Sequence, residues 1–461
     1  MMKHLFTALI FTATIAQAWS QNKEECLQNL SIFAESAKVK NYDAAYTPWK
    51  AVRDSCPDLN VAIYSYGEKI LKDRYKKAED ADKGAIADDL ISLYDQWVQY
   101  FPTRKGRSKK GDIISKKAQA MLDYKTADLK AVYETFDEAH EVDFKSFTNP
   151  KMLYNYFNTL YKLYKSNADG VTTELLFEKY EEISEKFELE QTNLAKRIDK
   201  ILKKEEAGDA ISSRELRNKK AFQTNSRAFG VFASNLDAII SKEATCENLI
   251  PLYERNFEAN KGDAVWLKRA ASRMDSKDCS DAPLFVTLVE ALHQLDPSAD
   301  SAYYLGLLKD KSGDEAGALQ YYEESIALET DNYKKAKILF KIATKFKNKG
   351  RKSKARSYAR KALSFQPSMG RAYLLIANLY ASSANDCGQT QFEKRAMYWL
   401  AASLAERAAK VDASIKKVAL KTAKSYTGRA PSKTDIFTEG NEGQVIKFNC
   451  WVGESVTVPK L

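Results

Sequence analysis

Residues 332–367 read NYKKAKILFKIATKFKNKGRKSKARSYARKALSFQP. Large apolar residues recur in two runs of about a dozen residues, as expected of helices with one buried face. Small residues interrupt the runs at Ala343 and Ala355, which are 12 positions apart. The preceding stretch has the same spacing between Gly306 and Ala318. Small residues at such positions let two helices approach closely, so both stretches predict an antiparallel helical hairpin.

The hairpins follow one another at a fixed period, since Ala377 lies 34 residues after Ala343. That is the period of a tetratricopeptide repeat (TPR), made of two helices and their turns. Small residues at the eighth, twentieth and twenty-seventh positions and proline at the thirty-second are typical of the family. Because Ala343, Ala355 and Pro367 match this signature, the region resembles the TPR family. The resemblance implies a helical scaffold that binds other proteins.

The N-terminal part has similar offsets, with a bulky residue in the first, normally small position: Phe33, Ala45, Trp49, Val52 and Pro57. From Thr103 to Glu188 the repeat weakens but stays helical, and from Leu189 to Ile240 apolar residues thin out among charges, with a break near Gly208. The sequence therefore predicts an all-α, TPR-like helical-hairpin solenoid in two blocks with a small C-terminal β-hairpin cap. The predicted segments are a signal peptide at 1–18, an N-terminal block at 19–188, a helical connector at 189–245, a C-terminal block at 246–413, and a capping helix and β-hairpin tail at 414–461.

The tail alternates apolar and polar residues over Val445–Trp451 and Val456–Val458, around Gly453-Glu454-Ser455, which predicts the hairpin. Its sequence resembles the C-terminal endings of exported TPR proteins from Bacteroidota. That resemblance implies a bacterial periplasmic or surface location and no activity.

The N-terminus carries Lys3, then an apolar run over Leu5–Ile15 and the small-residue site Ala16-Gln17-Ala18. This is the layout of a signal peptide, and the apolar run is shorter than the ~20 residues that span a bilayer. No cysteine follows the cleavage site directly, since the first is Cys26. We therefore expect an exported, periplasmic or cell-surface protein without a membrane span or lipid anchor of its own.

The cysteines, six in number, fit an oxidising compartment. Two pairs bracket predicted hairpins, and the remaining two would tie the last repeat to the tail. We therefore predict three disulfides, with six buried free thiols as the alternative: Cys26 with Cys56, Cys246 with Cys279, and Cys387 with Cys450.

The sequence offers few residues that could support catalysis or bind a cofactor. The chain has three histidines and lacks HExxH, GxSxG, GxGxxG and phosphate-binding loop motifs. Glu181, Glu182 and Glu185 lie among lysines and are interpreted as a solvated, salt-bridged helix face. We expect no enzyme activity, no cofactor and no metal.

Binding is the remaining function, because stacked hairpins line a concave groove with their first helices. A basic lining there would suit an acidic partner segment. The predicted groove residues are Tyr303, Leu307, Lys337, Lys341, Lys345, Arg371 and Asn378.

The expected function is a protein-binding scaffold of the bacterial envelope, docked to an outer-membrane assembly or secretion complex. The alternative is a carbohydrate- or polysaccharide-binding accessory protein, for which exposed tyrosines such as Tyr156 would be the platform. The net charge of +10 is modest. An exported protein seldom meets nucleic acid, so the basic run Lys345–Lys361 would instead contact an acidic protein face, lipid headgroups or an anionic glycan.

Overall fold

The computed structural model describes residues 23–461. The signal peptide expected at residues 1–18 lies outside this described part. The chain divides into two compact units, the first ending at Lys179 and the second running from Tyr180 to Leu461. Both units consist mainly of helices packed in antiparallel pairs, so the predicted all-α, TPR-like solenoid class is confirmed.

The first unit is a series of hairpins in which each first helix packs against the second helix that follows it. A short antiparallel ribbon, β1 (Thr103–Arg104) with β2 (Arg107–Ser108), interrupts the series. The helices are α1 (residues 23–38), α2 (Tyr42–Ser55), α3 (Ala62–Lys77), α4 (Asp80–Tyr100), α5 (Lys110–Tyr124), α6 (Leu129–Asp143), α7 (Pro150–Lys165) and the beginning of α8 (Thr173–Ala207).

Close helix approach in the first unit depends on Gly67 of α3. A Cβ atom there would lie 2.6 Å from the indole nitrogen of Trp49 on α2. The same indole N–H donates to the carbonyl of Ile63 at 2.7 Å, so the ring is fixed between two hairpins. This contact explains why the large Trp49 on α2 is opposed by a glycine, Gly67, on α3.

The second unit continues α8 and adds three further hairpins, an interrupted last repeat and the tail. The tail ends in an antiparallel ribbon, β3 (Val445–Lys447) with β4 (Ser455–Thr457). The helices are α9 (Ser213–Ile240), α10 (Cys246–Asn260), α11 (Ala264–Ser276), α12 (Pro283–Leu295), α13 (Ala299–Lys311), α14 (Glu315–Leu328), α15 (Asn332–Asn348), α16 (Lys352–Phe365), α17 (Gly370–Ala381), α18 (Ala384–Cys387), α19 (Gln391–Val411), α20 (Lys416–Thr427) and α21 (Lys433–Glu439).

The spacing of small residues has the packing role that the sequence predicts. Gly306 on α13 faces the ring of Tyr322 on α14, and a Cβ atom would come within 2.6 Å of that ring. In the next hairpin Ala343 and Ala355 are both fully buried between α15 and α16. Asp314 caps the N-terminus of helix α14, because its side chain accepts a hydrogen bond from the backbone N–H of Gly317.

The three predicted disulfides are present: Cys26–Cys56, Cys246–Cys279 and Cys387–Cys450. The first two close helical hairpins, and the third joins α18 to the tail. The described part of the chain therefore has no free thiol. No helix within residues 23–461 is long and apolar enough to span a bilayer.

The predicted C-terminal hairpin is confirmed, but its strands are shorter than expected. The first strand ends at Lys447 rather than Trp451, and Ser455 lies in the second strand rather than in the turn. The loop between them is held on the helices, since Cys450 is bonded to Cys387 and the Trp451 indole donates to Ser383 at 3.1 Å. These anchors draw the loop out of the ribbon.

Two further differences concern the middle of the chain. The ribbon β1–β2 falls where the sequence predicts only helices, and its turn at Lys105-Gly106 has positive φ at both residues. The predicted boundary at residue 188 lies inside α8, whereas the predicted break near Gly208 is found between α8 and α9. The division into five segments that the sequence analysis gives remains a prediction.

Candidate protein-binding faces

The second unit's repeats are the helix pairs α11–α12, α13–α14, α15–α16 and α17–α19. The first helices of these pairs form one side of the unit, here called the C-terminal face. Tyr303 and Leu307 were predicted to point outward from it, and this is wrong: each is 3% exposed. The Tyr303 ring packs against Tyr304 on its own helix and Tyr322 on α14. Both residues belong to the core because α13 is enclosed by neighbouring helices on nearly all sides.

The predicted lysines do lie near the surface of α15, but two of them are already paired. Lys337 forms an ion pair with Glu188 at 3.0 Å, and Lys345 forms one with Asp275 at 3.2 Å. Lys341 is exposed and lies 5.1 Å above the Tyr303 ring. Binding of a partner at these side chains stays a prediction.

The two predicted groove residues on α17 are both exposed. Arg371 lies near Asp412, whose pKa is raised because burial outweighs the hydrogen bonds and the Arg371 charge that favour its ionised form. Asn378 accepts a hydrogen bond from the Tyr426 hydroxyl of α20 at 2.6 Å. Neither residue is enclosed, so either could still meet a partner.

The C-terminal face is covered by a helix of this same chain: residues 180–207 of α8, here called the groove segment. Its acidic residues pair with basic residues of the first helices. The Arg269 guanidinium donates twice to Glu185 at 2.9 Å, and the Nε of Arg273 donates to Glu181 at 2.9 Å. These carboxylates, expected to be solvated, are therefore specific contacts between helices.

Further along, the groove segment is held by a buried hydroxyl–carboxylate contact. Asp199 is 2% exposed and accepts a hydrogen bond from the Tyr333 hydroxyl of α15 at 2.8 Å. Burial raises the pKa of Asp199, although Tyr333 and Ser368 oppose the rise by hydrogen bonding. Beside it, Lys196 pairs with Asp331 at 2.8 Å.

Apolar contacts hold the C-terminal end of the groove segment. Ile198 and Leu202 form a buried cluster with Val411 of α19, against which Phe222 and Tyr373 pack. The stretch from residue 181 to residue 206 spans about 38 Å at the helical rise. The groove segment therefore runs along several consecutive hairpins rather than touching one.

Helix α9 returns antiparallel to the groove segment and reinforces it. At the tip, Lys204 pairs with Glu215 and Lys219 with Glu205, each at 2.7 Å. Arg227 on α9 donates to the carbonyl of Ala413 at 3.3 Å. The region predicted as a long helical connector therefore also contacts the C-terminal helices of the second unit.

The corresponding side of the first unit, here called the N-terminal face, is formed by the first helices α1, α3, α5 and α7. Lys69 is exposed and lies 5.2 Å above the Tyr66 ring, which meets Phe33 of α1 edge-on. Between α3 and α5, Glu68 lies 3.9 Å from the Lys116 amine. Burial opposes the ionisation of Glu68, but Lys72 and Lys116 outweigh it and lower its pKa. This face combines aromatic rings with cations, as does the C-terminal face.

The tyrosine proposed as a sugar platform is not available. Tyr156 is 1% exposed, and its hydroxyl donates to Asp137, so its predicted exposure is wrong. The hydrophobic stripe of α7 faces inward, which explains the burial.

The basic run Lys345–Lys361 is largely neutralised by neighbouring acids. Lys349 pairs with Asp310, and Arg351 and Lys354 both pair with Glu315. This run is therefore a weaker anionic-partner surface than its sequence indicates. Within residues 23–461 no group of three His, Cys, Asp or Glu side chains is placed to hold a metal ion.

The principal feature missed from sequence is the placement of the groove segment. Glu181 and Arg273 are 92 residues apart, and no local spacing signals their contact. The alternation of Glu and Lys in α8 resembles an ordinary solvated helix. The apolar positions Ile198 and Leu202 were the available signal that this helix has a buried side.

Comparison with known proteins gives a consistent but distant set of likenesses. No protein-family model matches the chain. Among curated proteins, it is 31% identical over 107 residues to the Photosystem I assembly protein Ycf3 of Cyanophora paradoxa, which is 21% of this chain and 62% of that protein. The chain thus spans less than two thirds of that relative's length.

Among solved structures, it is similar to a tetratricopeptide repeat protein from Parabacteroides merdae, with 11% identity, a TM-score of 0.24, and coverage of 68% of this chain and 97% of that one. It is also similar to yeast Tom70, with 13% identity, a TM-score of 0.29, and coverage of 91% and 99%. From its own helix pairing and repeat packing, the chain is a TPR-like helical scaffold, an architecture suited to protein interaction.

Proposed function

We propose that this protein is a non-enzymatic protein-binding scaffold of the bacterial cell envelope and serves as an accessory subunit of an outer-membrane or secretion assembly. The observation that carries the proposal is the groove segment itself. Its carboxylates Glu181, Glu185 and Glu188 contact Arg273, Arg269 and Lys337 in turn. A first-helix face of this chain therefore has the chemistry that holds an acidic helix.

The N-terminal face is the proposed docking site, because the C-terminal face already holds its own helix. Lys69 and Lys76 are exposed on α3 one heptad apart, which places them on the same side of the helix. The nearby Tyr66 ring adds an amphipathic contact of the kind that recurs in protein interfaces. An acidic helix or an extended acidic segment of another protein fits this combination.

The envelope location is supported by the disulfides and by the signal peptide that the sequence predicts. Three disulfides persist only where the surroundings are oxidising, and the periplasm is such a compartment. Two of them close helical hairpins, and the third fastens the tail. Such cross-links suit a scaffold that keeps its shape outside the cytoplasm.

The test is affinity isolation from detergent-solubilised envelopes, with the wild type and two matched variants. K69E/K76E reverses two exposed charges one heptad apart on α3, and K334E/K341E makes the same change on α15. We expect an envelope protein to co-purify with the wild type and with K334E/K341E. Its recovery with K69E/K76E should fall at least tenfold.

Two results would overturn the proposal. Loss of the partner only with the α15 variant would move docking to the C-terminal face. If the wild type captured no envelope protein but bound defined oligosaccharides on an array, the carbohydrate-binding alternative would replace the scaffold role.

A further inference from the structure

The ribbon β1–β2 is a small basic element that the scaffold role does not use. Five cations occur within seven residues, on both strands, in the turn and immediately after them: Arg104, Lys105, Arg107, Lys109 and Lys110. All residues of the two strands are exposed, and a Cβ atom added to Gly106 would have no neighbour within 4 Å. The side chains of the ribbon are therefore open to solvent.

These cations are not neutralised by the protein. None of the five forms an ion pair with any residue of the part of the chain that the structure describes. The carboxylate at the base is Asp143, which accepts hydrogen bonds from Ser108 and Ser146. With Asp112 in the first turn of α5, two carboxylates accompany the five cations, so positive charge still predominates. The adjacent N-terminus of α5 adds its partial positive charge at the same place.

The composition of the ribbon indicates what kind of anion it would meet. Its two strands and turn are Thr103-Arg104-Lys105-Gly106-Arg107-Ser108, with no apolar or aromatic side chain. A protein interface needs a buried anchor, and single-stranded nucleic acid is bound by aromatic stacking. The aromatic residues that precede the ribbon in sequence, Tyr100 and Phe101, pack against the core of the first unit. A surface densely covered with anionic groups requires neither a buried anchor residue nor aromatic stacking, because each additional cation strengthens the electrostatic attraction.

We propose that the ribbon Thr103–Ser108, with Lys109 and Lys110, binds the anionic headgroups of a phospholipid surface. Arg104 and Arg107 are directly paired across the two strands and so share one face of the ribbon, and Lys105 lies in the turn between them. Several of the cations can therefore reach phosphates of one membrane plane together. Contact is peripheral, since the ribbon has no apolar side chain to insert. It would hold the first unit at a membrane without a spanning helix.

Vesicle co-sedimentation of the full chain tests this. The probes are vesicles of phosphatidylcholine alone and of phosphatidylcholine with about one third phosphatidylglycerol. We expect binding only to the anionic vesicles, weakened by raising the salt concentration. R104Q/K105Q/R107Q should reduce the partition coefficient about 100-fold, given the contribution of each basic residue near such a surface.

A matched control removes three exposed lysines from α20, as K416Q/K417Q/K421Q. It changes the net charge equally and should bind within about twofold of the wild type. Circular dichroism and thermal melting establish that both variants are folded.

Equal loss with both variants would mean that only total charge matters, and unchanged binding of the ribbon variant would exclude the ribbon. Either result overturns the proposal. So would tighter binding of a duplex oligonucleotide than of the anionic vesicles at the same salt concentration.

Discussion

Arg273 of α11 and Glu181 of the groove segment form a buried ion pair, with Nε 2.9 Å from the carboxylate oxygen. The Arg273 guanidinium is also 3.9 Å from the centre of the Tyr180 ring, and the side chain is 4% exposed. Burial raises the pKa of Glu181, although the Arg273 charge opposes the rise. This pair marks the point at which α8 engages the C-terminal face.

Removing only one member of the pair should be more harmful than removing both. R273M leaves Glu181 buried without its cation, so we expect the free energy of unfolding of the second unit to fall by about 3 kcal/mol. R273M/E181M should recover most of that loss, because neither charge is then buried. Denaturant unfolding of the single and double variants measures the difference. A double variant at least as unstable as the sum of the single ones would contradict a coupled pair.

The remaining ion pairs should keep the groove segment in place. E185K/E188K turns the contacts with Arg269 and Lys337 into repulsions, so amide hydrogen exchange across residues 180–207 should accelerate about tenfold. E174K/E178K is the matched control, since both residues are exposed on the same helix before the segment begins. Equal acceleration in the two variants would show that the segment is not held by these pairs.

The tip of the α8–α9 hairpin should be sensitive to acid. The hydrogen bond from Lys204, together with the backbone and hydroxyl of Ser212, lowers the pKa of Glu215 to about 2. A carboxyl group with a lowered folded-state pKa adds stability above its unfolded pKa of about 4.3 and loses it as the pH falls through the folded value.

The wild type should therefore melt higher than E215Q at pH 7, and the gap should close between about pH 4.5 and pH 2. Melting curves across this range measure it. Glu290 is exposed on α12, and E290Q is the control expected to show no such convergence. A gap that stays constant down to pH 2 would argue against the Lys204–Glu215 contact in solution.

The tail should have two independent attachments. The disulfide Cys387–Cys450 closes a separation of 63 residues, for which chain entropy predicts about 4 kcal/mol of stabilisation. Arg356 separately donates to the carbonyls of Trp451 and Val452. C387S/C450S should lower the melting temperature while the tail stays docked, and adding R356A should release it. Tryptic cleavage after Lys447 reports release, and rapid cleavage in C387S/C450S alone would contradict the second attachment.

The fold could be predicted from sequence where local spacing encodes the packing. Gly306 opposite Tyr322 and the 12-residue spacing of Ala343 and Ala355 specify how helices approach within a hairpin. Two of the cysteine pairs, Cys26–Cys56 and Cys246–Cys279, could be predicted for the same reason, because the ends of a hairpin meet. The third pair followed from the two cysteines that remained.

The candidate site could be predicted less well, because its decisive contacts join distant parts of the chain. The basic side chain of Lys337 was recognised, but its partner Glu188 precedes it by 149 residues. Tyr303 was misplaced because the repeat pattern does not show that α13 is enclosed on both sides. The ribbon β1–β2 had a local signal, Gly106 in a stretch without acidic residues, that helix periodicity obscured.

The most direct measurement is site-specific photo-cross-linking in living cells. A photoreactive amino acid replaces Lys69 on the N-terminal face or Lys341 on the C-terminal face, both exposed on first helices. We predict that position 69 cross-links to another envelope protein and that position 341 does not. Cross-links from position 341 alone, or from neither position, would contradict a scaffold that binds its partner through the first unit.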